Sequence, residues 1–193
     1  MGMPADIGVV DTMLGIPDGN RKDWYAFLAP QLRDRQSREE FSFPAQHLFK
    51  EVPDDPNTSD PVAWVLGEMD RFGIAQAMVG TSGAQGRALL EHPERFIASA
   101  SVDPNRGMDA VRDLKAAHAE HGIRSAQLFP AGCNPQVPIN DKRLYPIYAA
   151  CCELDIAIFI CVGVPGPRVP MLCQHVELLD EVEGSLFPPA VLD

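Results

Sequence analysis

Residues 108–128 read MDAVRDLKAAHAEHGIRSAQL and contain one complete helix–turn–strand unit. Its first part predicts a helix over Met108–His121, because apolar residues recur at the spacing of one helix face. Gly122 follows directly, and glycine is the residue that most often ends a helix in the left-handed conformation. The next run, Ile123–Leu128, has the short apolar pattern of a buried strand. The residues that recur on the helix face are Val111, Leu114 and His118.

The same kind of unit recurs along the chain, as short β-branched runs that alternate with amphipathic segments. The predicted strands are about Ile7–Met13, Ala75–Val79, Phe96–Val102, Ile123–Leu128 and Ile156–Val162. The other predicted helices are one between a cap at Ser59 or Asp60 and a stop at Gly73, one that begins after Asp141, and one over about Leu172–Val182. Strand–helix–strand order implies parallel pairing, which fits either an open doubly wound sheet or a closed barrel.

The number of units bears on which architecture is built. Strands two to five begin about 27 residues apart. A parallel (β/α)8 barrel needs about 250 residues, whereas this chain has 193. We therefore expect an α/β protein of the (β/α)8 TIM-barrel type with about five of the eight units. It would form one domain over residues 1–193, the front part of a truncated barrel.

A long segment, residues 15–58, separates the first predicted strand from the first predicted helix and is rich in Pro, Asp and aromatic residues. Loops that follow the carboxyl ends of barrel strands carry lids and substrate contacts. Two interpretations stay open for this segment. It is either such a lid, with His47 in reach of the site, or an irregular cap that packs on the rim.

Composition and charge exclude several classes of protein. The formal net charge of −11 at pH 7 opposes binding to nucleic acid, which needs clustered Lys and Arg. The hydrophobic fraction of 46% is that of a globular protein, and the longest apolar run is too short to cross a bilayer. Five cysteines without a regular spacing fit reduced thiols, and the chain opens on a strand pattern rather than a leader. We expect a cytoplasmic protein without nucleic-acid or membrane partners.

The carboxyl ends of the predicted strands are the candidate functional positions, because parallel barrels place their active sites there. Asp11 and Met13 end the first strand, and a carboxylate after an apolar strand is costly to bury without a role or a partner. Asp103 precedes a proline, so it either contacts substrate or makes a turn. Gln127 stands in an apolar strand and is a candidate substrate contact. Cys161 is either a reactive thiol or a small buried residue.

The glycine-rich segment 80–86, GTSGAQG, follows the second predicted strand and opens a helix. It lacks both the Gly-x-Gly-x-x-Gly spacing and the Gly-Lys-Ser/Thr ending of phosphate-binding loops. It also lacks the final glycine of the Gly-x-Ser-x-Gly nucleophile elbow around Ser82. The segment therefore predicts a simple turn.

Five stretches have the order and flanking residues of motifs in a known family. They are VVDTMLG at 9–15, SASVDPN at 99–105, GIRSAQLFP at 122–130, DKRLYPIY at 141–148 and IFICVG at 158–163. Together they resemble the amidohydrolase-2 family, and within it the aminocarboxymuconate semialdehyde decarboxylase-like group. The resemblance covers the chain from residue 6 to about residue 182.

The resemblance implies a divalent metal, usually zinc, but the residues at the matching positions differ. In the family, strand one ends in Asp-x-His-x-His and strand five supplies a further histidine. These positions fall on Met13, Gly15 and Cys161. Glycine has no ligand atom, and a thioether is a weak partner for zinc. No metal ligands are therefore predicted, and zinc or another divalent metal would need other ligands.

The resemblance implies hydrolysis or non-oxidative decarboxylation of a small organic acid or its derivative. The site residues that we predict are Asp11 and Cys161 for catalysis, and Met13, Asp103, Gln127 and His47 for substrate binding. One alternative is a catalytically silent, metal-free relative that binds a ligand or a partner protein. Another is an inactive truncated product, whose open sheet edges on strands one and five would favour a homo-oligomer.

Overall fold

A computed structural model describes residues 7–17, 26–40 and 58–186 of the chain. These residues form one sheet of parallel strands that lie side by side in chain order. The strands are β1 (Val9–Asp11), β2 (Ile74–Val79), β3 (Phe96–Ser101), β4 (Ser125–Leu128) and β5 (Ala157–Ile160).

The order of the strands distinguishes the two architectures that the sequence allows. A doubly wound sheet reverses its strand order at a switch point. A barrel instead pairs each strand with the next one in the chain. Because β1 to β5 pair consecutively, the sheet of the described residues is a curled half-barrel. The predicted fold class, an α/β barrel type with five units present, is confirmed.

Helices connect the strands and cover one face of the sheet. The α-helices of the described residues are α1 (Arg35–Glu40), α2 (Pro61–Phe72), α3 (Gly83–Glu91), α4 (Met108–His121), α5 (Tyr145–Glu153) and α6 (Leu179–Leu186). The short 3-10 helices are Ala26–Gln31, Pro104–Arg106, Pro130–Gly132, Leu172–Gln174 and Val176–Leu178. Within the described ranges, every helix falls short of the length and apolarity that a bilayer crossing requires.

The ends of α2 lie where the sequence predicts them. Asp60 is the N-cap, and its Oδ1 accepts the backbone N–H of Ala63 over 3.3 Å. Pro61 occupies the first helical position, where its missing N–H costs no hydrogen bond. Gly73 ends the helix in the left-handed region, with φ of 70°. Local capping chemistry therefore fixes both ends of this helix.

The convex face of the sheet packs against the helices. Ala98 of β3 and Ala126 and Leu128 of β4 are buried in one apolar cluster with Val111 and Leu114 of α4. The small side chains of the two alanines let α4 approach the sheet closely. A second cluster joins α2 to β2 and contains Val62, Val65, Met69, Ala77 and Val79. Burial of these side chains stabilises the half-barrel by about 25 cal/mol per Å² of apolar surface removed from water.

The concave face carries polar side chains deep in the sheet. Ser99 and Ser125 are register partners on β3 and β4, and both are buried. The Ser125 Oγ donates to the Ser99 Oγ over 2.9 Å and lies 3.5 Å from the Sδ of Met78. Because the two hydroxyls satisfy each other, their burial does not leave an unpaired polar group.

The predicted helix over about Leu172–Val182 is wrong for its first seven residues, although residues 179–182 are helical. Residues 172–178 form two 3-10 turns instead, and α6 begins only at Leu179. His175 separates the two turns with an extended backbone, φ −69° and ψ 134°. The main chain of Gln174 bonds to Gly163 in the loop after β5, so it is not free to continue a helical ladder.

The first predicted strand is longer than the observed one, because only Val9–Asp11 pairs with β2. In the segment 15–58, the described residues are partly helical. They contain the 3-10 helix Ala26–Gln31 and the short helix α1, and Leu28 and Leu32 are buried. This part is a packed cap on the rim. The lid stays a prediction for the rest of the segment, as does the single domain over residues 1–193.

Helix α2 offers a matched test of the capping argument. Gly73 has a positive φ, whereas Gly67 lies on an exposed helical position, and an added Cβ at either meets no atom within 4 Å. We expect Gly73→Ala to lower the free energy of unfolding by about 1 kcal/mol. Gly67→Ala should raise it by about 0.5–1 kcal/mol. Urea denaturation measures both changes in the free energy of unfolding. Changes of the same sign would contradict the assignment of the helix end.

Candidate active site at the carboxyl ends of the strands

A cleft of about 550 Å³ opens at the carboxyl ends of β2 and β3. It extends from the concave face across these strand ends to the groove between α3 and α4. We call it the strand-end cleft. Its polar lining is Thr81, Ser82, Gln85, Ser99, Ser101, Asp103, Arg106, Asp113 and Gln127. Its apolar lining includes Met13, Leu14, Val79, Ala100, Val102, Ala110, Leu114 and Ala117.

Three of the predicted site residues meet in the strand-end cleft. Met13 follows β1, Asp103 follows β3, and Gln127 lies on β4, so three different strands contribute. Asp11 and Cys161 lie at their predicted strand ends but are not among the residues that line the cleft. His47 lies outside the described residues. The carboxyl ends of parallel strands share one rim, which brings together residues that are far apart in the chain.

Gln127 connects two strand ends across the concave face. Its Nε2 donates to the backbone oxygen of Thr12, which follows β1, over 3.4 Å. The side chain is partly buried and points into the strand-end cleft. Its neighbour in register on β3 is Ser101, which also lines the cleft. The β4 end therefore offers an amide beside a hydroxyl, a pair suited to hydrogen bonding with a polar ligand.

The two predicted aspartates shape the turns that follow their strands. Asp11 Oδ1 accepts the N–H of Met13 over 2.9 Å. Asp103 Oδ1 accepts the N–H of Asn105 over 3.0 Å and caps the 3-10 helix that follows β3. Each carboxylate thus makes the local turn bond that aspartate commonly makes. Asp103 both makes a turn and lines the cleft, so it occupies a position from which it could also contact a ligand.

The cysteines near this rim are not activated as nucleophiles. Burial raises the pKa of the Cys161 thiol, and burial also raises the pKa of Cys173. The pKa of Cys133 rises to about 12, mainly through burial and further through the nearby Asp103 carboxylate. A reactive cysteine needs the opposite shift, because the thiolate is the nucleophile. At neutral pH these three side chains are therefore thiols.

A polar network that the sequence does not indicate holds the loops of this rim. Arg143 binds Asp141 through its Nε and Nη2, both at 2.9 Å, and its Nη1 donates to Asn105 Oδ1 at 2.9 Å. Asn105 Nδ2 in turn donates to the backbone oxygen of Pro135 over 2.8 Å. The Arg143 hydrogen bonds lower the pKa of Asp141 to about 2. The loops after β3 and β4 are thereby joined to the segment before α5.

Gln174 provides a second connection, between the loops after β4 and β5. Only 1% of this residue is exposed. Its Oε1 accepts the N–H of Ala131 over 3.2 Å, and its Nε2 donates to the oxygen of Gly163 over 3.0 Å. The backbone N–H of Gly163 also donates to the oxygen of Gln174, over 2.8 Å. One buried side chain therefore fixes the spacing of two rim loops.

Residues 80–82 of the glycine-rich segment form the turn that the sequence predicts, and residues 83–86 open α3. The Gln85 Oε1 accepts the N–H of Gly80 over 2.6 Å, which closes the turn at the start of α3. A Cβ at Gly86 would lie 2.6 Å from the backbone oxygen of Thr81, so only glycine fits there. Sequence reasoning missed Gln85, Arg106 and Asp113 as cleft residues. Gln85 and Arg106 follow a strand end within a few residues, whereas Asp113 lies in the middle of α4.

The chemistry of the described residues does not fit a divalent metal. They contain no group of three or more His, Cys, Asp or Glu side chains that could hold an ion. Met13 presents a thioether to the cleft, Gly15 presents no side chain, and burial disfavours the Cys161 thiolate. A site with high affinity for zinc or manganese needs several thiolate, imidazole or carboxylate ligands.

Solved structures show the same architecture in longer proteins. An uncharacterised TIM-barrel protein from Bordetella bronchiseptica matches with a TM-score of 0.59 and 19% identity, over 93% of this chain and 63% of that chain. The 5-carboxyvanillate decarboxylase from Novosphingobium aromaticivorans, solved with manganese and 3-methoxy-4-hydroxy-5-nitrobenzoic acid, matches with a TM-score of 0.54 and 16% identity. That match covers 84% of this chain and 53% of the decarboxylase. The chain thus spans somewhat more than half the length of these proteins.

The consecutive parallel strands and the cleft at their carboxyl ends define a barrel-type α/β protein with its candidate site on the rim. The family model described as amidohydrolase (Amidohydro_2) matches residues 20–185, and the chain belongs to this amidohydrolase-2 family. None of the curated protein sequences matches the chain significantly. The narrower placement in the aminocarboxymuconate semialdehyde decarboxylase-like group stays a prediction.

The Gln174 connection gives a stability prediction for the rim. Gln174→Leu keeps the side-chain size but leaves the Ala131 N–H and the Gly163 oxygen without these partners. We expect a loss of about 2 kcal/mol or more in the free energy of unfolding. The control is Gln76→Leu, since Gln76 is half-buried and its side chain makes one hydrogen bond, to the backbone oxygen of Glu94, and it should lower the free energy of unfolding by less, about 1 kcal/mol. Equal effects of the two substitutions would contradict the buried connection.

Proposed function

We propose that the strand-end cleft binds a small organic acid or its derivative, and that the protein acts on it by hydrolysis or non-oxidative decarboxylation. The observation that carries the proposal is the convergence of Met13, Asp103 and Gln127 from three strands into one cleft. Membership of the amidohydrolase-2 family supports it. The volume of the cleft also falls in the range of pockets for small molecules.

The roles that we propose follow from the chemistry of each side chain. The Gln127 amide donates or accepts a hydrogen bond, and Met13 supplies an apolar wall. Asp103 accepts hydrogen bonds from ligand hydroxyl or amide groups through its carboxylate. Asp11 and Cys161 lie at strand ends of the same rim but do not line the cleft, and they remain the proposed catalytic residues. Because burial raises the pKa of Cys161, that thiol would serve as a proton donor rather than as a nucleophile.

A second candidate function is binding of the same ligand class without chemistry. The observation that favours it is which side chains occupy the positions of the family's metal-binding residues. Met13 and Gly15 stand where the resemblance places the two histidines of strand one, and the described residues contain no cluster that could hold a metal. A protein with this rim would keep the acid-binding cleft and lose the metal-dependent reaction. Turnover measurements separate the two candidates.

Two probes test the proposal on the intact chain. 5-carboxyvanillate reports decarboxylation as released CO2, and N-benzoylglycine reports amide hydrolysis as released glycine. Binding of both acids is measured in parallel by isothermal titration calorimetry, with and without added Mn²⁺. We expect saturable binding and slow turnover of one probe. Gln127→Leu should weaken binding about tenfold, the loss of about one hydrogen bond.

Gln76→Leu is the matched control for this experiment, because it makes the same substitution on a half-buried side chain outside the cleft. It should leave binding unchanged. Saturable binding of either acid without any turnover would favour the second candidate. Absence of both binding and turnover would contradict both functions.

A further inference from the structure

One ion pair lies within the strand-end cleft. Arg106 ends the 3-10 helix after β3, and its Nη1 pairs with the Oδ2 of Asp113 on α4. Both side chains line the cleft, and each is a little more than half exposed, at 56% and 54%. Arg106 is the only cationic side chain among the described residues that line the cleft. Arg106 is therefore the charged side chain of this lining that attracts an anion, whereas Asp103 and Asp113 are acidic.

The exposure of this pair makes it exchangeable. An ion pair in contact with water contributes little to stability, because water screens the charges and the long side chains lose freedom. A guanidinium carries five N–H donors in a planar fork that matches a carboxylate in two parallel hydrogen bonds. An incoming ligand carboxylate can therefore replace the Asp113 carboxylate at Arg106 without breaking a buried interaction.

The surroundings of Arg106 indicate what the rest of the ligand must be. Val102 and Leu114 line the same cleft, and Leu14 and Val79 contribute further apolar surface toward β1 and β2. A ligand whose carboxylate is held by Arg106 thus meets apolar side chains with its body. Ser101 and Gln127 at the β3 and β4 ends supply hydrogen bonds to polar substituents.

We propose that Arg106 is the carboxylate-binding residue of the strand-end cleft, that its ligands are organic acids with an apolar or aromatic body, and that Asp113 competes with them for the guanidinium. This inference rests on the proposed function. It assigns the carboxylate of the ligand to the guanidinium of Arg106. It makes an asymmetric prediction for the two partners of one ion pair. Removal of Arg106 weakens acid binding, whereas neutralisation of Asp113 strengthens it.

Helix α4 provides matched control substitutions. Arg112 and Asp109 form an exposed ion pair on the same helix and do not line the cleft. Arg112→Gln and Asp109→Asn therefore change the net charge by the same amounts as Arg106→Gln and Asp113→Asn. If the effects on binding come from the overall charge of the protein, the two sets will behave alike. If they come from contact with the ligand, only the cleft pair will respond.

The experiment titrates sodium benzoate and its neutral isostere benzamide into the wild-type chain and the four variants, by calorimetry. We expect Arg106→Gln to weaken benzoate binding at least tenfold and to change benzamide binding less than twofold. Asp113→Asn should tighten benzoate binding about threefold or more. The control variants should stay within about twofold of the wild type for both probes, as expected for charges outside the site. Thermal unfolding checks that each variant is folded, and Arg106→Lys replaces Arg106→Gln if the latter is not.

The possible results separate this inference from the proposed function. Benzoate binding that is equally strong in Arg106→Gln would overturn the role of Arg106 and leave an acid-binding cleft intact. Equal loss in Arg106→Gln and Asp113→Asn would show a structural pair and also overturn it. No benzoate binding to the wild type or to Asp113→Asn would overturn the inference. Together with no binding or turnover of the two acid probes above, that result would contradict the proposed function as well.

Discussion

Parallel hydrogen bonding between strands that follow each other in the chain determines at which edge of the described sheet the loops after the strands lie. Each strand of the described sheet pairs with the next at a defined register, such as Ser99 with Ser125 and Ser125 with Ala157. All carboxyl ends therefore lie on one rim, and the helices that connect the strands lie on the convex face. The strand-end cleft follows from this arrangement, because residues about a hundred positions apart in sequence meet there. A shift of the register by one residue would move the side chains of a whole strand to the opposite face.

The two faces of the sheet differ in polarity: the convex face packs against helices, and the concave face carries polar groups. The side chains of the convex face are apolar, and they are small where α4 packs, as at Ala98 and Ala126. The concave face instead carries hydroxyl and amide groups, which belong to Ser99, Ser125 and Gln127. Barrel interiors are typically filled by bulky branched residues. Gln127 keeps hydrogen-bonding capacity toward the end of the strands where a ligand enters, whereas Ser99 and Ser125 satisfy each other deeper in the sheet.

How much the sequence predicts depends on whether the signal is local. The ends of α2 at Asp60 and Gly73, and the full extent of α4, follow from capping and periodicity within the segment itself. The region from Leu172 to Val182 does not, because Gln174 bonds to loops after two other strands and prevents a continuous helix. The same distinction holds for the residues of the site. Strand ends predict Met13, Asp103 and Gln127, but no pattern in the sequence indicates that Arg106 and Asp113 also face the cleft.

Register across the concave face is the feature on which this account depends, and a cross-link measures it directly. In the double variant Ser99→Cys, Ser125→Cys the two sulfur atoms would replace hydroxyls that lie 2.9 Å apart on adjacent parallel strands, so mild oxidation should form a disulfide between them. In Ser99→Cys, Ala126→Cys the second thiol faces the helices, and no bond should form. Peptide mass mapping reads both outcomes. A disulfide in the Ala126 variant, or none in the Ser125 variant while the protein stays folded, would contradict the parallel in-register half-barrel and the rim that it builds.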